Sequence, residues 1–375
     1  MNRQTGNKNI MEVHHTVRAV FCLIAVLRSR NHHRGSIPVR SACAQICIIV
    51  VLAVGCGGQE AELETTAAEL PPREDFVRIG DLHLHYLDWG GDGDLMLFVP
   101  GLGGTAYLWN GIAPHFRDRY RVVAVTPREH GASDKSGQST DAADLGDDLA
   151  GVISHFSDGP AVVVGHSFAG IQMTQLTKRH PSQVAALVFL DALYDFSAQP
   201  EPLPQIPGFA NPDSAYASID QAVAYLMELF PELQWDLAEP YVRSQLRETS
   251  DGSFVWQLPL TSPVFAGFVQ LAQTWSPDEL YGIETPTMAI RIKQEAAITR
   301  MLTDRGMPVD SIAAARRFFE EWDDVWKRSA LEAVEATIPG AVTVILNEGT
   351  HLLPLERPEI VVGLLDDFLT PRIPQ

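Results

Sequence analysis

The chain has 375 residues, 46% of them hydrophobic, which is enough to bury the core of one large domain or two. Its net charge is −19, and the first 56 residues hold seven bases against one acid, Glu12, so the remainder stands at −25 and disfavours nucleic acid and anionic membrane surfaces as partners. All four cysteines, Cys22, Cys43, Cys47 and Cys56, also lie in that first stretch, which excludes a disulfide framework, a cysteine nucleophile and a thiolate metal site from the body.

Residues 1–56 read as a leader. Arg30, Arg34 and Arg40 precede a short apolar run from Ala42 to Gly55, in the order of an export signal and too short for a transmembrane helix. Its end, Leu52-Ala53-Val54-Gly55-Cys56-Gly57, resembles a bacterial lipoprotein signal with cleavage before Cys56 and lipid attached there; an uncleaved apolar anchor is the alternative. That resemblance implies export and a lipid-anchored place in the bacterial cell envelope. Residues 57–75, acidic and alanine-rich and then Pro71-Pro72, read as a tether. The folded part is expected from Phe76.

From there strands and helices alternate. Leu82–Leu87 and Leu95–Pro100 are expected strands, Trp109–Phe116 a short helix, and Arg121–Thr126 a third strand. Ala142–Ser154 follows as a helix, Ala161–Val164 as a strand, Phe168–Lys178 as a helix and Ala185–Leu190 as a strand. Strands separated by helical segments predict a mostly parallel sheet covered on both faces. Residues 193–280 break the order with a proline-rich start, a helical stretch at Ile219–Leu229 and many aromatics. They read as a helical cap inserted after the sixth core strand, with core segments 76–192 and 281–372 on either side. The sheet resumes at Thr287–Ile292, a long helix or a pair occupies Ile312–Glu335, and Ala341–Leu346 and Pro358–Leu369 are the last strand and helix.

Val162-Val163-Val164-Gly165-His166-Ser167-Phe168-Ala169-Gly170 is a buried strand turning into a helix with a serine at the bend. Such a turn lifts a hydroxyl clear of the sheet beside a backbone N–H, as acyl transfer requires. Ser167 is therefore the expected nucleophile. The glycines Gly101, Gly103 and Gly104 lack the spacing of a nucleotide fingerprint, and the histidine pairs His14-His15 and His32-His33 fall in the leader. No cofactor or metal is expected.

Together these segments make residues 77–370 similar to the α/β-hydrolase superfamily, close to its cap-bearing serine esterases and C–C bond hydrolases. The resemblance implies an α/β-hydrolase fold and hydrolysis through an acyl-serine, with a small-molecule carboxylic ester as substrate. Perhydrolysis and C–C cleavage use the same apparatus, and a noncatalytic, lipid-anchored ligand-binding descendant is the alternative from another class. The resemblance further implies that Leu102, in Pro100-Gly101-Leu102-Gly103-Gly104, and Phe168 supply backbone N–H groups to an oxyanion. It also makes His351, in Asn347-Glu348-Gly349-Thr350-His351, the base. Two carboxylates compete for the acid, Glu295 after strand Thr287–Ile292 and Asp191 after strand Ala185–Leu190. Thr126-Pro127-Arg128-Glu129-His130-Gly131-Ala132-Ser133-Asp134 matches a loop-organising stretch of the family, and His166 is expected to be structural or substrate-lining. The sequence departs from the family pattern at Pro100, Thr126, Glu129, Ala169 and Ile292.

Overall fold

The structure, a computed structural model, describes residues 71–136, 140–195 and 215–370. The leader and Cys56 lie outside the described residues. The expected α/β architecture forms around one sheet of eight strands, ordered β1-β2-β4-β3-β5-β6-β9-β10. They are β1 (Arg73–Ile79), β2 (Leu82–Gly90), β3 (Leu95–Val99), β4 (Arg121–Val125), β5 (Ala161–His166), β6 (Val184–Leu190), β9 (Thr287–Ile292) and β10 (Val342–Leu346). β2 pairs antiparallel with β1 and β4, and every other pairing is parallel.

Continuous apolar runs produce this sheet because its central strands are covered on both faces. All five residues of β3 and all six of β5 are buried. Their side chains alternate between the faces: Leu95, Leu97 and Val99 join one hydrophobic cluster, while Met96 and Phe98 join the other. The first is covered by α1 (Ala142–Phe156) and α2 (Ala169–Arg179). In the second, Phe98 packs against Trp109 and Phe116, which sit on the short 3-10 turns Ala106–Trp109 and Ala113–Phe116. Emptying such a position, as in Phe98→Ala, costs about 3–5 kcal/mol.

β1 was not foreseen. It is an edge strand in which Val77 alone is buried, so its sequence carries almost no alternation, and antiparallel pairing of Arg73 to Ile79 with β2 defines it instead.

Between β6 and β9 lies the expected helical insertion. It contains α3 (Ile219–Leu229), α4 (Trp235–Gln245) and α5 (Pro263–Thr274), capped by Ser218 on α3 and Ser262 on α5. It also contains a hairpin of β7 (Leu246–Glu248) and β8 (Phe254–Trp256), too short for periodicity to reveal. After β9 come α6 (Glu295–Asp304), α7 (Val309–Phe318), a π-helical turn at Phe319–Asp323 and α8 (Asp324–Thr337). The long helix or pair expected over Ile312–Glu335 is thus a helix broken at that turn. α9 (Leu353–Glu356) and α10 (Pro358–Leu369) are the last helices among the described residues.

Candidate functional site

The carboxyl ends of β5, β6 and β9 and the loop after β10 converge on Ser167. β5 ends at His166, and α2 starts at Ala169, leaving Ser167 in the bend at φ +56°. A non-glycine residue in that region costs about 1–2 kcal/mol, and close packing around the bend holds it there. A Cβ on Gly170 would come within 1.8 Å of the Ala192 carbonyl oxygen, and one on Gly101 within 2.6 Å of Ser167 Cβ. Ala169 stands where the family pattern has glycine. Its methyl lies against Gly165, where an added Cβ would come within 2.9 Å of it, so the missing side chain of Gly165 makes the room.

His351 lies in the loop between β10 and α9. Its Nε2 is 2.8 Å from Ser167 Oγ, and its Nδ1 is 2.7 Å from Asp191 Oδ2. Asp191 follows β6 directly at φ +45°. Its Oδ1 accepts from Ile292 N–H at 3.1 Å, and Oδ2 also accepts from the Tyr194 hydroxyl at 3.0 Å and Lys327 Nζ at 3.0 Å. Burial opposes the charge on Asp191. The Lys327 ammonium, the His351 bond and charge, and the Ile292 N–H outweigh burial and hold the carboxyl well below the usual carboxylate range.

The His351 loop is fixed at several points. His351 N–H donates to Gln294 Oε1 at 3.1 Å, and the His351 carbonyl accepts from His166 Nε2 at 2.7 Å. His166 is buried, and burial, followed by the charge of His351, drives its pKa down to about 3, so it serves this bond as a neutral ring. Glu356 accepts from Thr350 N–H at 3.0 Å and Thr350 Oγ1 at 2.8 Å, bracing the residue before His351.

Glu295, the other acid singled out in the sequence, is placed elsewhere. It opens α6 and accepts from Arg316 Nε at 3.0 Å and Thr299 Oγ1 at 3.2 Å. The turn from β9 into α6 brings the preceding residue to the site instead, with Gln294 Nε2 3.4 Å from Asp191 Oδ2. Two further departures from the family pattern, Thr126 and Glu129, have local partners. Thr126 Oγ1 bonds His85 Nδ1 at 2.8 Å and Ala106 N–H at 3.0 Å. Glu129 adopts the left-handed φ of +68° that glycine would favour, its carboxylate accepting from Ser136 N–H and Oγ at 2.6 Å. His130 is buried against Phe268, with rings 5.5 Å apart, and burial lowers its pKa to about 4.

Leu102 lies in the turn after β3, closed by Gly104 N–H to Gly101 O at 3.0 Å, and that turn touches Ser167 through Gly101. Among the described residues neither Leu102 N–H nor Phe168 N–H donates a hydrogen bond. From this turn a cavity of about 190 Å³ runs toward the insertion, lined by Leu102, Gly103, Gly131, Gln245, Trp256 and Phe265 among others. A hydroxyl, imidazole and carboxylate in this order can make the oxygen nucleophilic and return its proton to a leaving group.

The α/β-hydrolase fold family matches residues 94–222. The solved structure of E-2-(acetamidomethylene)succinate hydrolase superimposes with a TM-score of 0.57 at 22% identity, over 80% of this chain and 99% of that one. The described body has the α/β-hydrolase fold, and residues 94–222 carry the sequence match to that family. Among curated relatives, this chain is 30% identical over 161 residues to 2-(acetamidomethylene)succinate hydrolase of Mesorhizobium japonicum, covering 43% of this chain and 57% of that one. It is 30% identical over 116 residues to epoxide hydrolase 1 of Caenorhabditis elegans, covering 30% and 29%. The matched segments thus span between 29% and 57% of these relatives' lengths.

Sequence reasoning had no place for Lys327, Gln294, Tyr194 or Glu356. Lys327 left a signal: it shares the buried stripe of α8 with Ala330, Leu331 and Val334, where an apolar residue is the norm.

Proposed function

We propose that this α/β-hydrolase cleaves a small-molecule carboxylic ester through an acyl-Ser167 intermediate. The observation that carries the reading is the continuous chain from Ser167 Oγ to His351 Nε2 at 2.8 Å and from His351 Nδ1 to Asp191 at 2.7 Å. As Oγ attacks the carbonyl carbon, His351 Nε2 takes its proton, and Asp191 stabilises the resulting imidazolium and fixes the ring's tautomer. The carbonyl oxygen, now an oxyanion, is received by Leu102 N–H and Phe168 N–H, a contribution of about 10²–10³ in rate for one such donor. Collapse breaks the ester bond, and the alcohol leaves with the proton from His351. Water activated by the same imidazole then hydrolyses the acyl-serine. Serine at this position disfavours epoxide opening in the manner of relatives that use aspartate to form an alkyl ester.

The test is turnover of activated short-to-medium acyl esters by the full-length protein and by Ser167→Ala. The reading expects loss of at least about 10³-fold in kcat with an unchanged fold; equal turnover by the two proteins would remove Ser167 from the reaction. Export and lipid attachment at Cys56, in a bacterial envelope, are part of the proposal and rest on the leader sequence. Intact mass from the native host is expected to show a lipid-bearing N-terminus at Cys56, and an unmodified protein would reject it.

A further inference from the structure

Lys327 has no part in the reaction just described, yet it occupies a place where charge is costly. Its side chain and that of Asp191 are 2% and 1% exposed, with Nζ 3.0 Å from Oδ2. Nζ also lies 3.4 Å from the Ile292 carbonyl oxygen and 5.1 Å from the centre of the Tyr194 ring. Filling this position for stability alone would favour an apolar residue, because desolvating an ion pair commonly offsets its attraction. The lysine instead meets the very oxygen that accepts the bond from His351 Nδ1. It is delivered there by α8 directly after the π-helical turn, a feature that often marks functional positions.

We propose that Lys327 is a positioning residue that keeps Asp191 charged and directed at His351, extending the working range of the Ser167–His351–Asp191 chain to lower pH. The inference rests on the serine-hydrolase reading above. Burial pushes Asp191 toward protonation, and the Lys327 ammonium is the foremost group opposing it. Without that ammonium the Asp191–His351 pair binds a proton more tightly. A proton on the pair disables the base, so the acid limb of activity moves to higher pH. The other groups around the pair are Tyr194 after β6, His166 at the end of β5, the Ile292 N–H at the end of β9 and Gln294 after it. Arg291 on β9 lines the same small cavity as Asp191 and Lys327, of about 10 Å³. All of these persist when Lys327 is replaced.

The experiment measures the rate at which a fluorophosphonate labels the full-length protein across pH, for wild type, Lys327→Met, Lys327→Gln, Lys327→Arg and Ser167→Ala. Lys327→Met and Lys327→Gln, which remove the charge, are expected to move the midpoint of the acid limb up by about one pH unit. Their rate on the alkaline plateau is expected to stay within about threefold of wild type, and the limb of Lys327→Arg to stay with wild type. An unmoved limb in a folded uncharged variant would overturn the proposal, as would failure of both uncharged variants to fold, since Lys327 would then serve the fold alone. A wild type that labels no faster than Ser167→Ala would overturn the serine-hydrolase reading itself and the role of Lys327 with it.

Discussion

Asp191 and Glu295 show how one residue's surroundings decide its role. Both follow core strands, and both satisfy the chain order serine, acid, histidine. Asp191 is buried and accepts from His351 Nδ1, whereas Glu295 is engaged by Arg316 and Thr299. The proposed mechanism therefore expects kcat to fall by about 10³–10⁴ in Asp191→Asn, which misplaces the tautomer, and to stay within about twofold in Glu295→Gln. Steady-state kinetics on one activated ester separates the two, and a larger loss in Glu295→Gln would reverse the assignment. The sequence alone left this choice open because the strand-to-helix turn at Ile292 to Glu295 decides which side chain reaches inward, and that turn brings Gln294 to the site. Ser167 and His351 were legible because each sits in a local motif, a strand-to-helix bend and a loop between strand and helix. Lys327 was not, because a lysine in a helix reads as solvent-facing until its neighbours on the stripe are known.

At the scale of elements, the site depends on α2 lying close against the end of β6. The contact is made at Gly170, whose missing side chain lets the Ala192 carbonyl approach. Gly170→Ala must push α2 from the strand end that carries Asp191, at a cost of about 1–3 kcal/mol for an overpacked position. Urea unfolding is expected to show that loss, with a fall in kcat from the displaced serine; a midpoint and kcat equal to wild type would show that the elbow does not rely on this packing. The central strands and α1 and α2 were readable from periodicity because burial on both faces gives unbroken apolar runs. β1 and the β7–β8 hairpin were not, since an exposed edge strand and two three-residue strands are specified by their partners rather than by their own pattern.

For the whole molecule, charge separates fold from preference. Residues 193–280, which include the insertion, carry twelve acidic side chains against Arg243 and Arg247, with no lysine or histidine. The cavity beside Leu102 and Gly103 is lined by apolar side chains and by Gln245 and Gln257, with no charged residue. A neutral ester is therefore expected to outperform its carboxylate-bearing analogue by about tenfold or more in kcat/KM at low salt, and the gap to narrow as ionic strength rises. Equal values at all salt concentrations would show that the field of the insertion does not reach the reacting centre. The most direct measurement of the central claim is mass spectrometry of the protein quenched during turnover of a slowly deacylating ester. The account predicts a single acyl group on the peptide containing Ser167, absent from Ser167→Ala. Steady turnover by wild type with no adduct on that peptide, and undiminished in Ser167→Ala, would contradict it.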